Sequence, residues 1–399
     1  MLVLQAELNV GILGHVDHGK TTLTHALTGK WTDTHSEEIK RGISIRLGYA
    51  EASVYLCAKC DSYSFSEKCE GCGTKGELKR KISFLDAPGH ETLMTTAISA
   101  SSIIDGALFL IAANEPCPQP QTREHLMVLD LLGIKNVIVV QTKIDLVGKE
   151  KAIENYNQIK SFLKGTVAEN APIIPVAANY RINLGEIVAA IEKYLPTPKR
   201  DKNAKLRMFV SRSFDINKPG TPIPKLHGGI IGGSVVRGSL KIGDKIEIRP
   251  GIVKKEGAKP TPMILEVVAL RKENDDLEEA LPGGLVAVGT LIDPALTKSD
   301  ALIGSVIGTP GELPEPVDTI KLKYQLLKRT DMENPPFKQG EAVVVNASTS
   351  TNVGVITVLA KGTATIKLKK LMIVEKSSKV ALCRRLGQRW RLAGCGELA

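Results

Sequence analysis

The sequence predicts an α/β domain built on a doubly wound, mostly parallel sheet, followed by two all-β barrel domains. Three observations predict it. Apolar strand-like runs alternate with helical stretches up to about residue 198, the pattern of strands covered by helices. From Leu206 onward short alternating runs such as Lys245-Ile246-Glu247-Ile248-Arg249 are bounded by Gly and Pro, with no long helical period. Two Pro-rich breaks, Leu195 to Lys202 and Thr309 to Pro316, divide the chain. The expected domains are therefore 1–198, 204–311 and 317–399.

In the first domain a strand, Leu8 to Leu13, runs into Gly14-His15-Val16-Asp17-His18-Gly19-Lys20-Thr21, and a helix-like run follows to Leu27. This is a complete G-x-x-x-x-G-K-[ST] loop in its required strand–loop–helix setting, a P-loop. Glycine lets the backbone curl around an anion without Cβ clashes. The amides of Asp17 to Thr22 then point at phosphates, aided by the helix N-terminus. Lys20 supplies a point charge for the β- and γ-phosphates, and the Thr21 hydroxyl is a magnesium ligand. A Gly-rich turn that binds nothing is the bland alternative; the motifs that follow weigh against it.

A second short strand, Ile82 to Leu85, ends in Asp86-Ala87-Pro88-Gly89-His90. An Asp at that strand end holds magnesium through water, and the Gly89 amide senses the γ-phosphate. Helical stretches are expected at Glu91 to Ile103, Thr122 to Leu132 and Lys151 to Leu163. After the strand Val137 to Val140 comes Thr142-Lys143-Ile144-Asp145, a T/N-K-x-D motif. The Asp145 carboxylate accepts hydrogen bonds from guanine N1 and N2, which adenine cannot offer. The nucleotide is therefore GTP or GDP, and the domain reads as a P-loop GTPase. Ala177, Ala178 and Asn179 stand where a Ser-Ala-x loop normally backs the base; without the Ser, that contact is main chain only.

Cys57-x2-Cys60-x8-Cys69-x2-Cys72 inserts two C-x-x-C pairs between the P-loop and Asp86. Each pair supplies two thiolates from one tight turn, and four sulfurs close a tetrahedron with no open position, so zinc here is structural. A disulfide pair or free thiols are the alternatives, and nothing in the sequence gives the secretory context that disulfides need. Cys117, Cys383 and Cys395 stand alone and read as packing residues.

A chain of 399 residues accommodates two or three cores. The formal charge of +10 suggests a polyanionic partner, and much of the excess lies from Lys361 to Arg391, where a merely solvated face is the competing reading. Aromatics make up only 4%, which favours phosphate contact over base stacking. No apolar run reaches membrane-spanning length, and Glu7 interrupts the apolar start. The expectation is a cytoplasmic protein with no membrane partner.

Taken together, these motifs resemble the gamma subunits of archaeal and eukaryotic translation initiation factor 2. The resemblance rests on the P-loop, Ser36 to Ile43, the four-cysteine insertion, Asn114 to Thr122, Asn217 to Thr221, Gly228 to Ser234, Pro282 to Ala287, Asp293 to Lys298 and Gly387 to Arg391. It spans essentially the whole chain. Ser44, Thr142 and Ala177 depart from the family pattern, and the third domain is short. The resemblance implies that Ser44 ligates magnesium in the GTP state, that Asp17 and Gly42 hold a second magnesium, and that His90 orients the attacking water. It implies carriage of initiator methionyl-tRNA to the small ribosomal subunit, in a heterotrimer with alpha and beta subunits. Elongator-type or selenocysteinyl-tRNA carriers, and GTPase subunits of metabolic enzymes, share the nucleotide motifs and remain the alternatives.

Overall fold

The computed structural model describes residues 5–32, 47–88, 94–252, 260–273, 275–329, 332–375, 378–387 and 389–399. Gly42, Ser44, Gly89 and His90, together with the segment Ser36 to Ile43, lie outside them. Two compact units divide the chain: Ala6–Pro198, and Lys199–Ala399 with Gln5. Among the described residues no helix is long and apolar enough to cross a membrane.

The first unit runs β1 (Leu8–Gly14), α1 (Lys20–Thr28), β2 (Gly48–Cys57), β3 (Ser62–Ser64), β4 (Glu77–Asp86), α2 (Met94–Ser101), β5 (Gly106–Ala112), α3 (Pro120–Leu132), β6 (Val137–Thr142), α4 (Lys149–Leu163), β7 (Ile173–Pro175) and α5 (Leu184–Tyr194). Its sheet has the order β3-β2-β4-β1-β5-β6-β7. The pairings from β4 through β7 are parallel, whereas β2 and β3 are antiparallel. The chain leaves β1 toward β4 and crosses back to β5, so the order reverses around β1. In open α/β sheets ligands bind outside the carboxyl ends of the strands at such a reversal, and the P-loop occupies that end of β1.

The strand sequences are continuous apolar runs because both faces are covered. Val10, Ile12, Leu108, Leu110, Ile138 and Val140 share a core with Leu23 and Leu27 of α1 and Ile187 and Ile191 of α5. The alternate positions Leu13, Phe109, Ile111 and Val139 are equally buried. Near the helix end of this core, Arg80 on β4 donates to Glu192 (2.7 Å), to Thr197 (2.9 Å) and to the carbonyls of Ile191 (3.2 Å) and Leu195 (2.9 Å). A guanidinium this well satisfied is tolerated at 8% exposure.

The second unit is all β. Strands β8 (Arg207–Phe214), β9 (Ile230–Arg237), β10 (Leu240–Lys241), β11 (Lys245–Ile252), β12 (Thr261–Lys272), β13 (Asp275–Leu277), β14 (Glu279–Ala280), β15 (Val286–Thr290) and β16 (Val306–Gly308) come first. The order β11-β16-β8-β9-β15-β12 closes through the β11–β12 pairing. Strands β17 (Val317–Leu326), β18 (Ala342–Ala347), β19 (Ser350–Ala360), β20 (Thr363–Met372), β21 (Lys379–Leu386) and β22 (Arg389–Leu398) form a second closed barrel. Each barrel has its own apolar core, around Met208, Val267 and Ile307 in one and Leu322, Val345 and Ile366 in the other. Closure pairs the first and last strands of each six-stranded barrel. Within this unit Arg207 bonds Glu375 across the barrels at 2.6 Å.

Candidate functional site

The P-loop takes its shape from positive backbone angles. Gly14 has φ 151°, Asp17 62° and Gly19 80°. At Gly14 a Cβ would lie 2.5 Å from the Leu110 carbonyl, so only glycine lets the loop start this close to β5. Gly19 is followed at once by the first helical bond, from the Leu23 amide to its carbonyl at 2.8 Å. Lys20 is folded onto the loop, its Nζ donating to the His15 carbonyl at 2.8 Å. Asp17 is exposed and Thr21 and Thr22 are partly exposed.

Two strands reach this loop with side chains. From β4, Asp86 Oδ2 accepts from the Thr21 hydroxyl at 2.7 Å. From β6, the Thr142 hydroxyl donates to the His18 carbonyl at 2.9 Å. The His18 side chain itself turns inward: Nδ1 lies 3.0 Å from the Leu110 carbonyl and Nε2 3.3 Å from Glu115 Oε2. Burial pushes its pKa down to about 4, so the imidazole is neutral there and only the His18 main chain faces the loop. His125, fully enclosed behind the loop, is pushed down to about 3 by the same burial. His15 is also lowered, first by burial and next by His18.

The third motif follows β6 directly. Lys143 has φ 57° and starts a 3-10 turn, Ile144–Leu146, that presents Asp145 to solvent. The Ile144 amide bonds the Val176 carbonyl at 3.4 Å, which brings 176–179 beside it. Ala177 is buried, Ala178 partly so, and Asn179 exposed. The structure thus gathers Gly14 to Thr22, Asp86, Thr142 to Asp145 and Ala177 to Asn179 at one end of the sheet. Sequence reasoning missed Thr32, whose hydroxyl also donates to Asp86 Oδ2, at 2.8 Å, and the Glu115–His18 contact. A hydroxyl outside any recognised pattern carries no signal until the fold places it.

The side-chain oxygens of Thr21 and Asp86, hard donors meeting at a helix N-terminus, fit magnesium, which prefers oxygen and keeps waters. The four cysteine Sγ atoms lie within 4.8 Å of one another, and those of Cys57 and Cys72 are 3.5 Å apart. A tetrahedral zinc with bonds of about 2.3 Å sets its sulfurs about 3.8 Å apart, so this set fits zinc. Amides of Cys72 and Gly71 aimed at Cys69 draw its thiol down to about 6, toward the thiolate a metal needs. Arg181 bonds Glu70 at 3.0 Å and the Ala26 carbonyl at 3.3 Å, fastening the cysteine turn to the end of α1.

A P-loop domain with a T-K-x-D turn, followed by two closed barrels, defines a GTPase of the elongation-factor-Tu-like architecture. Family models agree: residues 5–197 match the elongation factor Tu GTP binding domain, 228–308 elongation factor Tu domain 2, and 318–398 the C-terminal domain of initiation factor eIF2 gamma. Curated relatives include translation initiation factor 2 subunit gamma of Methanococcus maripaludis, 54% identical over 98% of both chains. That of Pyrococcus horikoshii is 53% identical, covering 98% of this chain and 97% of its own. The chain belongs to the translation initiation factor 2 gamma subunit family, and it is a translational GTPase.

Among solved structures, a bacterial selenocysteine-specific elongation factor superposes with a TM-score of 0.76 at 26% identity, over 99% of this chain and 58% of that one. The elongation factor SelB of Methanococcus maripaludis, in complex with the GTP analogue GPPNHP, gives 0.74 at 23%, over 100% and 79%, and shares the fold. With more than half of the residues identical to gamma subunits over nearly the full length, the carrier and metabolic-enzyme alternatives are not favoured.

Proposed function

We propose that this GTPase binds initiator methionyl-tRNA in its GTP form, delivers it to the small ribosomal subunit, and works in a heterotrimer with the alpha and beta subunits of the initiation factor. Near-full-length identity with gamma subunits supports this role. The observation that carries the nucleotide part is the double hold on the P-loop, Thr21 to Asp86 and the His18 carbonyl to Thr142. Amides from Asp17 to Thr22 and the Lys20 ammonium take the phosphates; Asp145 reads guanine, with Lys143 and the main chain of Ala177, Ala178 and Asn179 beside it. Thr21 and Asp86 hold magnesium, joined by Ser44, with Asp17 and Gly42 assigned to a second ion. Magnesium supplies charge neutralisation at the β- and γ-phosphates. Gly89 and His90 take the γ-phosphate-sensing and water-orienting roles. Cys57, Cys60, Cys69 and Cys72 hold a structural zinc. The three domains are taken as 1–198, 204–311 and 317–399, and the setting as the cytoplasm.

Two measurements test this reading. Lys20→Ala abolishes binding of guanine nucleotide by calorimetry; tight binding retained by the variant argues against the P-loop assignment. Filter binding with charged initiator and elongator tRNAs gives a GTP-dependent, salt-steep preference for initiator, and equal retention of both refutes the carrier role.

A further inference from the structure

Among the described residues two hydroxyls donate to Asp86 Oδ2, Thr21 at 2.7 Å and Thr32 at 2.8 Å. Thr32 is 8% exposed and belongs to none of the nucleotide motifs. Its approach depends on a glycine. Gly48 pairs with Asp86 across β2 and β4, and a Cβ there would sit 2.6 Å from Thr32 Cβ and 3.1 Å from Asp86 Cβ. The missing methyl group is the space in which Thr32 reaches the carboxylate. The chain therefore returns to one residue from both sides of the segment 33–46, by the Thr32 side chain before it and the Gly48 backbone after it.

We infer that Thr32 is a positioning residue for the magnesium site, holding the Asp86 carboxylate where it meets Thr21. This rests on the nucleotide reading above. A carboxylate that serves an ion through water relies on neighbours to fix its rotamer, and loss of such a partner typically weakens metal affinity by about 10–100-fold. Thr21 is committed to the cation when magnesium binds, whereas the Thr32 hydroxyl keeps its hold on Asp86.

The test is the magnesium dependence of fluorescent GDP release from the full chain. Thr32→Val keeps the shape and removes the hydroxyl; it is expected to need about tenfold more magnesium to slow release, with the rate in EDTA unchanged. Thr32→Ser restores the wild-type curve. Gly48→Ala, which leaves every hydroxyl in place and closes the space, reproduces the Val defect and serves if Thr32→Val does not fold. A wild-type magnesium curve for Thr32→Val, equal weakening with and without magnesium, or a Ser variant as impaired as Val each overturns the inference. Absence of GDP binding by the wild-type chain in EDTA and in magnesium alike instead sinks the nucleotide reading itself.

Discussion

The Thr142 hydroxyl donates a 2.9 Å hydrogen bond to the carbonyl of His18, so the strand that ends in the T-K-x-D turn also holds the P-loop. The departure at Thr142 thus sits on a structural strut. Thr142→Val leaves a buried carbonyl unpaired, at a cost of about 1–3 kcal/mol. Denaturant unfolding registers that loss, GDP affinity falls with it, and Thr142→Ser recovers both. A Val variant as stable and as tight-binding as wild type removes the strut from the account.

Asp145→Asn exchanges a double acceptor for a mixed donor and acceptor. GTP affinity is expected to fall about tenfold to a hundredfold, the loss of one charge-assisted hydrogen bond, while xanthosine triphosphate binding improves. Direct competition between the two nucleotides measures this, and unchanged selectivity counts against the guanine assignment.

Zinc content is the next check. The purified chain is expected to carry stoichiometric zinc by elemental analysis, and Cys69→Ser to lose it. Chelation frees the turn from Cys57 to Cys72 and lowers the melting temperature of the first unit. Each ~1 kcal/mol lost appears as ~2–4 °C in a domain of this size. A metal-free chain with an unaltered melt excludes a structural zinc.

Acid should destabilise the region behind the P-loop. The ordinary histidine pKa of 6.5 drops to about 4 at His18 and about 3 at His125 because both are buried. Between those values and 6.5 the unfolded chain binds protons that the folded chain does not, so stability rises with pH across that window. It is complete above about pH 6.5 and declines on acidification toward pH 4. His125→Leu removes one such group and flattens the profile of melting temperature against pH. A variant curve parallel to wild type shows that His125 does not contribute.

Gly14→Ala places a methyl 2.5 Å from the Leu110 carbonyl at φ 151°. Strain of this kind costs about 1–3 kcal/mol and shifts the loop start away from β5. Nucleotide affinity and thermal stability both fall. Gly19→Ala meets no atom of the described residues within 4 Å, so within the protein its cost is backbone strain at φ 80°.

The segments expected to form a nucleotide site could be picked out because each is local. The P-loop, the Asp86 strand end and the Thr142 turn each lie within a few residues of a recognisable strand, and the structure brings them to one end of the sheet. The cysteine cluster was legible for the same reason, as two short turns. The barrels showed themselves in texture, through alternation broken by Gly and Pro, but their closure through the β11–β12 pairing is a long-range contact with no local mark. The helix expected over Thr122 to Leu132 lengthens by two residues to start at Pro120, since proline suits a first helical position, and the start expected at Glu91 lies outside the described residues. Strand β2, between β3 and β4, went unread. Its sequence, Gly48 to Cys57, is only half buried and lies between two conspicuous motifs. Thr32 and Glu115 were invisible because each acts on a residue distant in sequence.

The Arg80 clamp gives the chain's departure point a fixed address. Asp86 closes β4, and Arg80 stands six residues earlier on the same strand, about 20 Å away at the usual rise. That guanidinium grips Thr197 and the Leu195 carbonyl, the last links before the chain crosses into the second unit. The last residues of the first unit are therefore bolted to the strand that carries Asp86, beyond the end of their own helix.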